Sequence, residues 1–309
     1  MTRPRRLYAV LFVFCASLAA LATQAQSQQQ RLFSAPRADS SSTVSLPSNH
    51  AEAAVPTLSD PVSPAPSSSA HKSEPRQSSS SDIVNGTVSL KTVPFDTLRD
   101  QKYVWLFPLR VAEGHHILPT AATIGITAGL IQADPPSMRY FGRTTDFNRF
   151  NESFNGSVTG AFEGLVPASL YVFGLVRHDN YAEQTALLAG MAYADSAIPH
   201  VAIKVVSRRI RPNAVPAGSD YSHTFFRSSV TPFGKGSSFP SGHAAAAFSI
   251  ATVIAQRYRD HRWVPWAAYS LATIVAFSRI PARAHYPSDV FLGGVLGYAI
   301  ARYDTLRPE

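Results

Sequence analysis

Cysteine is nearly missing from this chain. The one residue, Cys15, sits inside an N-terminal apolar run, so a mature form cleaved beyond it has no disulfide, no thiol nucleophile and no cysteine-ligated metal. Charge of either sign is sparse: charged residues make up 16% of the chain against 45% hydrophobic. The formal balance is +8. Part of that excess is Arg3, Arg5 and Arg6, and most of the rest falls after residue 100. No long basic helix, arginine-rich tail or aromatic-plus-basic sheet motif accompanies it, so nucleic-acid binding is not expected. A modest positive excess suits an anionic substrate or a membrane surface. The ten histidines show no metal-ligand spacing.

Long uninterrupted apolar runs are also scarce. Leu7 to Ala22 follows the three arginines and ends in Ala20-Leu21-Ala22 and Thr23-Gln24-Ala25. Residues 1–25 read as a secretory signal peptide cleaved after Ala22 or Ala25, with an uncleaved anchor as the alternative. Leu11-Phe-Val-Phe14 before Cys15 lacks the small residues of a lipoprotein signal. From Gln26 to about Thr92 the chain is rich in Gln, Ser, Ala and Pro, as in Pro64-Ala-Pro-Ser-Ser-Ser69. Such a segment buries too little apolar surface to offset its ordering entropy. Residues 26–100 are assigned to a disordered spacer and 101–309 to the catalytic domain.

In that domain six apolar segments, Ile117–Ile131, Gly160–Val176, Thr185–Val206, Ala244–Ala255, Trp263–Phe277 and Val290–Ala301, are rich in Ala, Leu and Gly and lack strand alternation. Their pattern predicts an all-α bundle of about six helices. Most are shorter than the ~18 residues of a membrane span, and two carry Glu163 or Asp195, His200 and Lys204. An odd number of spans behind an exported leader would also leave the chemistry inside the cell. An exported, water-soluble or peripherally bound bundle is therefore expected, although Gln256-Arg-Tyr-Arg-Asp-His-Arg262 has the look of a positive-inside loop.

Three stretches carry chemistry. In Lys204-x6-Arg211-Pro212, a helix continuing to Arg211 would put Lys204 and Arg211 two turns apart on one face. Arg208 and Arg209 are expected in solvent at the helix end, and His200, one turn before Lys204, as a satisfied core histidine. Pro240-Ser-Gly-His243 opens an alanine-rich helix whose free N–H groups form an anion site. There Ser241 can cap, Gly242 admits an anion close to the backbone, and His243 supplies a proton donor or acceptor. The preceding loop could form one wall of a substrate entrance, with His223, Arg227 and Lys235 in it. In Ser278-Arg279-x5-His285-x3-Asp289, an aspartate four positions after the histidine can accept from one ring nitrogen and raise the basicity of the other. His285 is then a candidate nucleophile.

Together these eleven fixed residues resemble the tripartite signature of the type 2 phosphatidic acid phosphatases. That superfamily also holds the class A nonspecific acid phosphatases and the vanadium-dependent haloperoxidases. The resemblance spans 204–289 and implies a cofactor-free phosphatase acting on a phosphorylated lipid or a small phosphate ester; the signal peptide would export it to the periplasm or cell envelope. It implies that His285 attacks phosphorus, held by Asp289, and that His243 protonates the leaving oxygen and then activates water. Lys204, Arg211, Ser241, Gly242 and Arg279 would bind the phosphate. Vanadate would inhibit. A haloperoxidase holding vanadate at the same residues is less expected from so short a bundle. A non-catalytic phosphate binder would need neither histidine.

Overall fold

A computed structural model describes residues 91, 93–216, 219–229 and 236–306 of the protein; the expected signal peptide and nearly all of the expected spacer lie outside them. Among the described residues there are eight α-helices and no strand: α1 (Val93–Ala112), α2 (Ile117–Phe141), α3 (Asn148–Ser153), α4 (Gly156–Arg177), α5 (Asn180–Ser207), α6 (Gly242–Arg257), α7 (Trp263–Ser278) and α8 (Pro287–Ile300). The fold is all-α, and each of the six segments read from the sequence lies within a helix or within one residue of its end. Two helices carry no such segment, α1 and the short α3. In α1, Asp96, Arg99, Asp100 and Lys102 are interleaved with Phe95, Leu98 and Trp105, so no apolar run marks it. It starts inside the stretch assigned to the spacer, and Asp100 and Gln101 are buried in it. The Gln101 amide donates to the Asp195 carbonyl on α5 at 3.1 Å.

Helix α6 is the central element. Ala244 to Ala247 and Ile250 to Ala255 are nearly all buried, apart from half-buried Phe248, and it packs against α5, α7 and α8. Its core partners include Val166 and Leu170 of α4, Ala186 and Ala189 of α5, and Val264 and Val275 of α7. The α6–α8 contact is closest. A methyl group on Gly297 would overlap the Ala245 carbonyl, and one on Gly293 would overlap the Ser241 carbonyl. Bare backbone there lets the N-terminal ends of the two helices meet, and Ser241 N–H donates to the Asp289 carbonyl at 2.8 Å.

Helix ends differ from the sequence reading where side chains decide them. The Asn155 carboxamide caps α4 by accepting from Ser157 and Val158 N–H at 3.0 Å each, five residues before the apolar run begins at Gly160. Helix α2 runs through Pro135 and Pro136 to Phe141, giving 25 residues. By length and composition, Gly156–Arg177 and the run Asn180–Ala214 can each cross a membrane, and α1 with α2, bent by 98°, would make a third. The expectation that the helices are too short to span is corrected for these elements. Glu163, Asp195 and Lys204 do not oppose it either, because all three are buried inside the protein. The outer faces are apolar: Leu118 and Ile124 on α2, Val172 and Val176 on α4, and Trp266 on α7 are all exposed.

Candidate active site

The site forms where the C-terminal end of α5, the N-terminal ends of α4, α6 and α8, and the loop after α7 converge. Helix α5 stops at Ser207 because Arg208 adopts a left-handed conformation, φ 44°. The expected continuation to Arg211 is therefore corrected. After the turn the chain runs alongside the loop that returns from α5 to α6: Ile210 N–H donates to the Thr224 carbonyl at 2.9 Å and Ser238 N–H to the Arg209 carbonyl at 2.8 Å. This turn, rather than a shared helical face, brings Arg211 beside His285, with Arg211 Nη1 donating to the Ala284 carbonyl at 3.1 Å and lying 3.4 Å from His285 Nε2. Lys204, in the last turn of α5, is buried, and its carbonyl accepts from Arg208 N–H at 3.1 Å.

Ser241 caps α6 as expected, its hydroxyl accepting from Ala244 N–H at 3.4 Å. The N–H groups of Gly242 and His243 keep no intrahelical acceptor. A side chain on Gly242 would stand 2.8 Å from His200 Nε2, so this glycine also makes room for the His200 ring. His200 Nδ1 donates to the Ala197 carbonyl at 3.2 Å, and its Nε2 is buried without a partner, so His200 is only half satisfied. His243 Nε2 donates to the Gly156 carbonyl at the start of α4 at 3.3 Å. Its pKa is lowered to about 4, first by burial, then by Arg279, with Lys204 and Arg211 adding to it. All three cations thus face this histidine.

Arg279 is buried and anchored, its Nη2 donating to the Phe154 carbonyl and to Ser278 Oγ. Burial lowers its pKa to about 10, and Glu163 opposes that shift. The guanidinium remains a cation at neutral pH.

His285 is almost fully buried. Its Nδ1 lies 2.7 Å from the Ser238 carbonyl and 3.6 Å from Asp289 Oδ2. A carbonyl only accepts, so Nδ1 carries the hydrogen and Nε2 presents a lone pair beside Arg211. The expected Asp289 contact is present but secondary. Burial lowers the pKa of His285 to about 4, against the pull of Asp289 and with the aid of Arg211 and Lys204. Burial pushes Asp289 the other way, but His285 and Arg209 outweigh it and hold the carboxyl below its ordinary range. Pro287 opens α8, and Asp289 Oδ2 accepts from Tyr286 N–H at 2.8 Å.

Arg209 was expected in solvent and is instead buried, at 1% exposure. Its Nη1 donates to Ser288 Oγ and Asp289 Oδ1, and its Nη2 to Asp134 Oδ2, each at 2.7 Å. The guanidinium carbon stacks 3.8 Å from the Tyr286 ring centre and 4.5 Å from that of Phe225. Asp134 on α2 also accepts from Ser288 N–H at 3.1 Å. Sequence reasoning missed this pairing, though a lone carboxylate three residues past the apolar run, before Pro135, was a signal, because a buried carboxylate needs a partner. Of the loop residues, His223 and Arg227 are exposed and Lys235 lies outside the described residues. Among the described residues no group of three or more His, Cys, Asp and Glu could hold a metal ion.

Residues 185–305 match the model of the PAP2 superfamily. The chain is 38% identical over 64 residues to lipid A 1-phosphatase of Porphyromonas gingivalis, a stretch covering 20% of this chain and only 14% of that protein. Among solved structures, a transmembrane PAP2-type phosphatidylglycerolphosphate phosphatase from Bacillus subtilis aligns over 65% of this chain and 92% of its own, at 19% identity and a TM-score of 0.32.

Proposed function

We propose, from the match of residues 185–305 to the model of the PAP2 superfamily, that the chain hydrolyses phosphate monoesters of membrane lipids through a phosphohistidine on His285. One observation carries this reading: a buried histidine whose Nδ1–H is held by a carbonyl, so that Nε2 meets Arg211 at 3.4 Å. The phosphoryl oxygens bind Lys204, Arg211 and Arg279 together with the first N–H groups of α6, where Ser241 and Gly242 shape the turn. His285 Nε2 forms a bond to phosphorus as the bond to the leaving oxygen breaks. His243 gives that oxygen its proton, then takes one from the water that attacks phosphorus, and inorganic phosphate leaves as the P–N bond breaks. Asp289 supports the ring as it becomes cationic.

The lipid class is supported by the apolar outer faces of α2, α4 and α7 and by a relative named for a lipid phosphatase. The same faces support a membrane-associated protein of the cell envelope. To test this, the full chain is extracted and given phosphatidic acid in mixed micelles or p-nitrophenyl phosphate. The expected result is recovery with the membrane fraction and preferential phosphate release from the lipid, blocked by vanadate and insensitive to EDTA. Recovery in the aqueous fraction with preference for the aryl ester would overturn the lipid assignment. Release from neither ester would overturn the phosphatase.

A further inference from the structure

We propose that Asp134 and Arg209 are positioning residues for phosphoryl transfer, forming with Asp289 a buried charge relay that holds both acceptors at His285 Nδ1 and balances the charge arising on that ring. The proposal rests on the phosphatase reading above.

The first argument is geometric. The two acceptors near His285 Nδ1 are the Ser238 carbonyl and Asp289 Oδ2, and Arg209 fixes both. Its side chain grips Asp289 at 2.7 Å, while its backbone carbonyl accepts from Ser238 N–H at 2.8 Å and its N–H donates to Ser237 Oγ at 3.1 Å. Stacking between Tyr286 and Phe225 sets the plane of the guanidinium, so its forked donors have fixed directions. Asp134 then anchors the far edge and also receives both the N–H and the hydroxyl of Ser288, next to Asp289. A displacement of Asp134 is thereby transmitted to Asp289 through two bonds of 2.7 Å, and from there to His285 across 3.6 Å.

The second argument is charge. Asp134, Arg209 and Asp289 are all at 0–1% exposure, and with both carboxyls ionised the two of them about one guanidinium leave one negative charge. Packing alone gives no reason for this, because apolar residues of like volume serve as well or better. The surplus is useful when neutral His285 bonds to phosphorus, since the ring then becomes an N-phosphoryl imidazolium. Its charge is balanced only in the transition state and intermediate, which lowers the barrier without tightening substrate binding. The other groups facing His285 are the cations Lys204 on α5 and Arg211 after it, and both oppose that positive charge.

The test uses the full chain in detergent as wild type, Asp134→Asn and Arg209→Lys, with phosphatidic acid in mixed micelles. The isosteric Asp134→Asn should lower kcat by about tenfold with little change in KM, and should move the acid limb of the pH–rate profile to lower pH. Arg209→Lys, which keeps the charge but loses the fork, should lose at least as much kcat. His285, followed by NMR with isotope-labelled histidine, should titrate at lower pH in Asp134→Asn than in wild type. A merely structural residue would lower Tm and leave both pH readouts in place, and that result overturns the relay. Wild type that never releases phosphate but whose His285 titration moves in Asp134→Asn supports the relay and refutes the phosphatase instead.

Discussion

A histidine that attacks phosphorus must reach it neutral, whereas one that protonates a leaving oxygen must reach it charged. Burial settles the first requirement for His285, whose pKa of about 4 leaves it neutral over most of the working range. The same depression of His243 is a difficulty until the substrate is counted. A phosphate dianion placed among Lys204, Arg211 and Arg279 offsets the cations that lower His243, so its pKa rises on binding and a proton enters with the ligand. Binding of vanadate or phosphate near pH 6 should therefore take up about one more proton in wild type than in His243→Gln, the proton lost by the ligand itself being common to both. Calorimetry in two buffers of different ionisation enthalpy measures the difference, which should disappear above about pH 8. Equal proton exchange in the two proteins contradicts the assignment of His243 as the acid. The signature positions were legible because their residue types and spacings are specific. Arg209 was not, because two adjacent arginines at a helix end look alike until the chain turns at Arg208. The Ser238 carbonyl, being backbone, has no sequence signal at all.

At the scale of elements, the site depends on α8 lying against α6 with almost nothing between them. Gly297→Ala places a methyl on the Ala245 carbonyl and must push the helices apart, at a cost of about 1–3 kcal/mol for an overpacked contact. It should lower Tm and reduce kcat, since Asp289 and Ser241 meet at the end of the same seam. Gly164→Ala is the control: nothing lies within 4 Å of a methyl there, and alanine favours a helix interior by about 0.5–1 kcal/mol. Thermal melts and steady-state rates compare the two; equal effects would contradict the close-contact account. Helix positions were legible from apolar composition. Their ends were less so, because caps such as Asn155 and the left-handed turn at Arg208 act through geometry that composition does not carry. Helix α1 escaped for the opposite reason, its buried face being polar, with Asp100 and Gln101.

At the scale of the whole molecule, stretches 204–212, 240–243 and 278–289 become one site because three helix N-termini and one C-terminus point to a common place. Helix α2, outside the matched segment, reaches the same place through Asp134. In the sequence, Glu163, Asp195 and Lys204 weighed against a membrane-embedded bundle because nothing there says which way they face. All three turn inward, and the apolar residues between them supply the outer surface.

The central claim is that phosphate is carried on His285, and trapping the phosphoenzyme tests it most directly. With radiolabelled p-nitrophenyl phosphate, whose leaving group needs no acid, His243→Ala should still be phosphorylated but hydrolyse the intermediate slowly. The account predicts label that is stable to base, lost in acid and located on His285 by peptide mapping, and absent from His285→Asn. Continued turnover by His285→Asn, or acid-stable label on another residue, would contradict it.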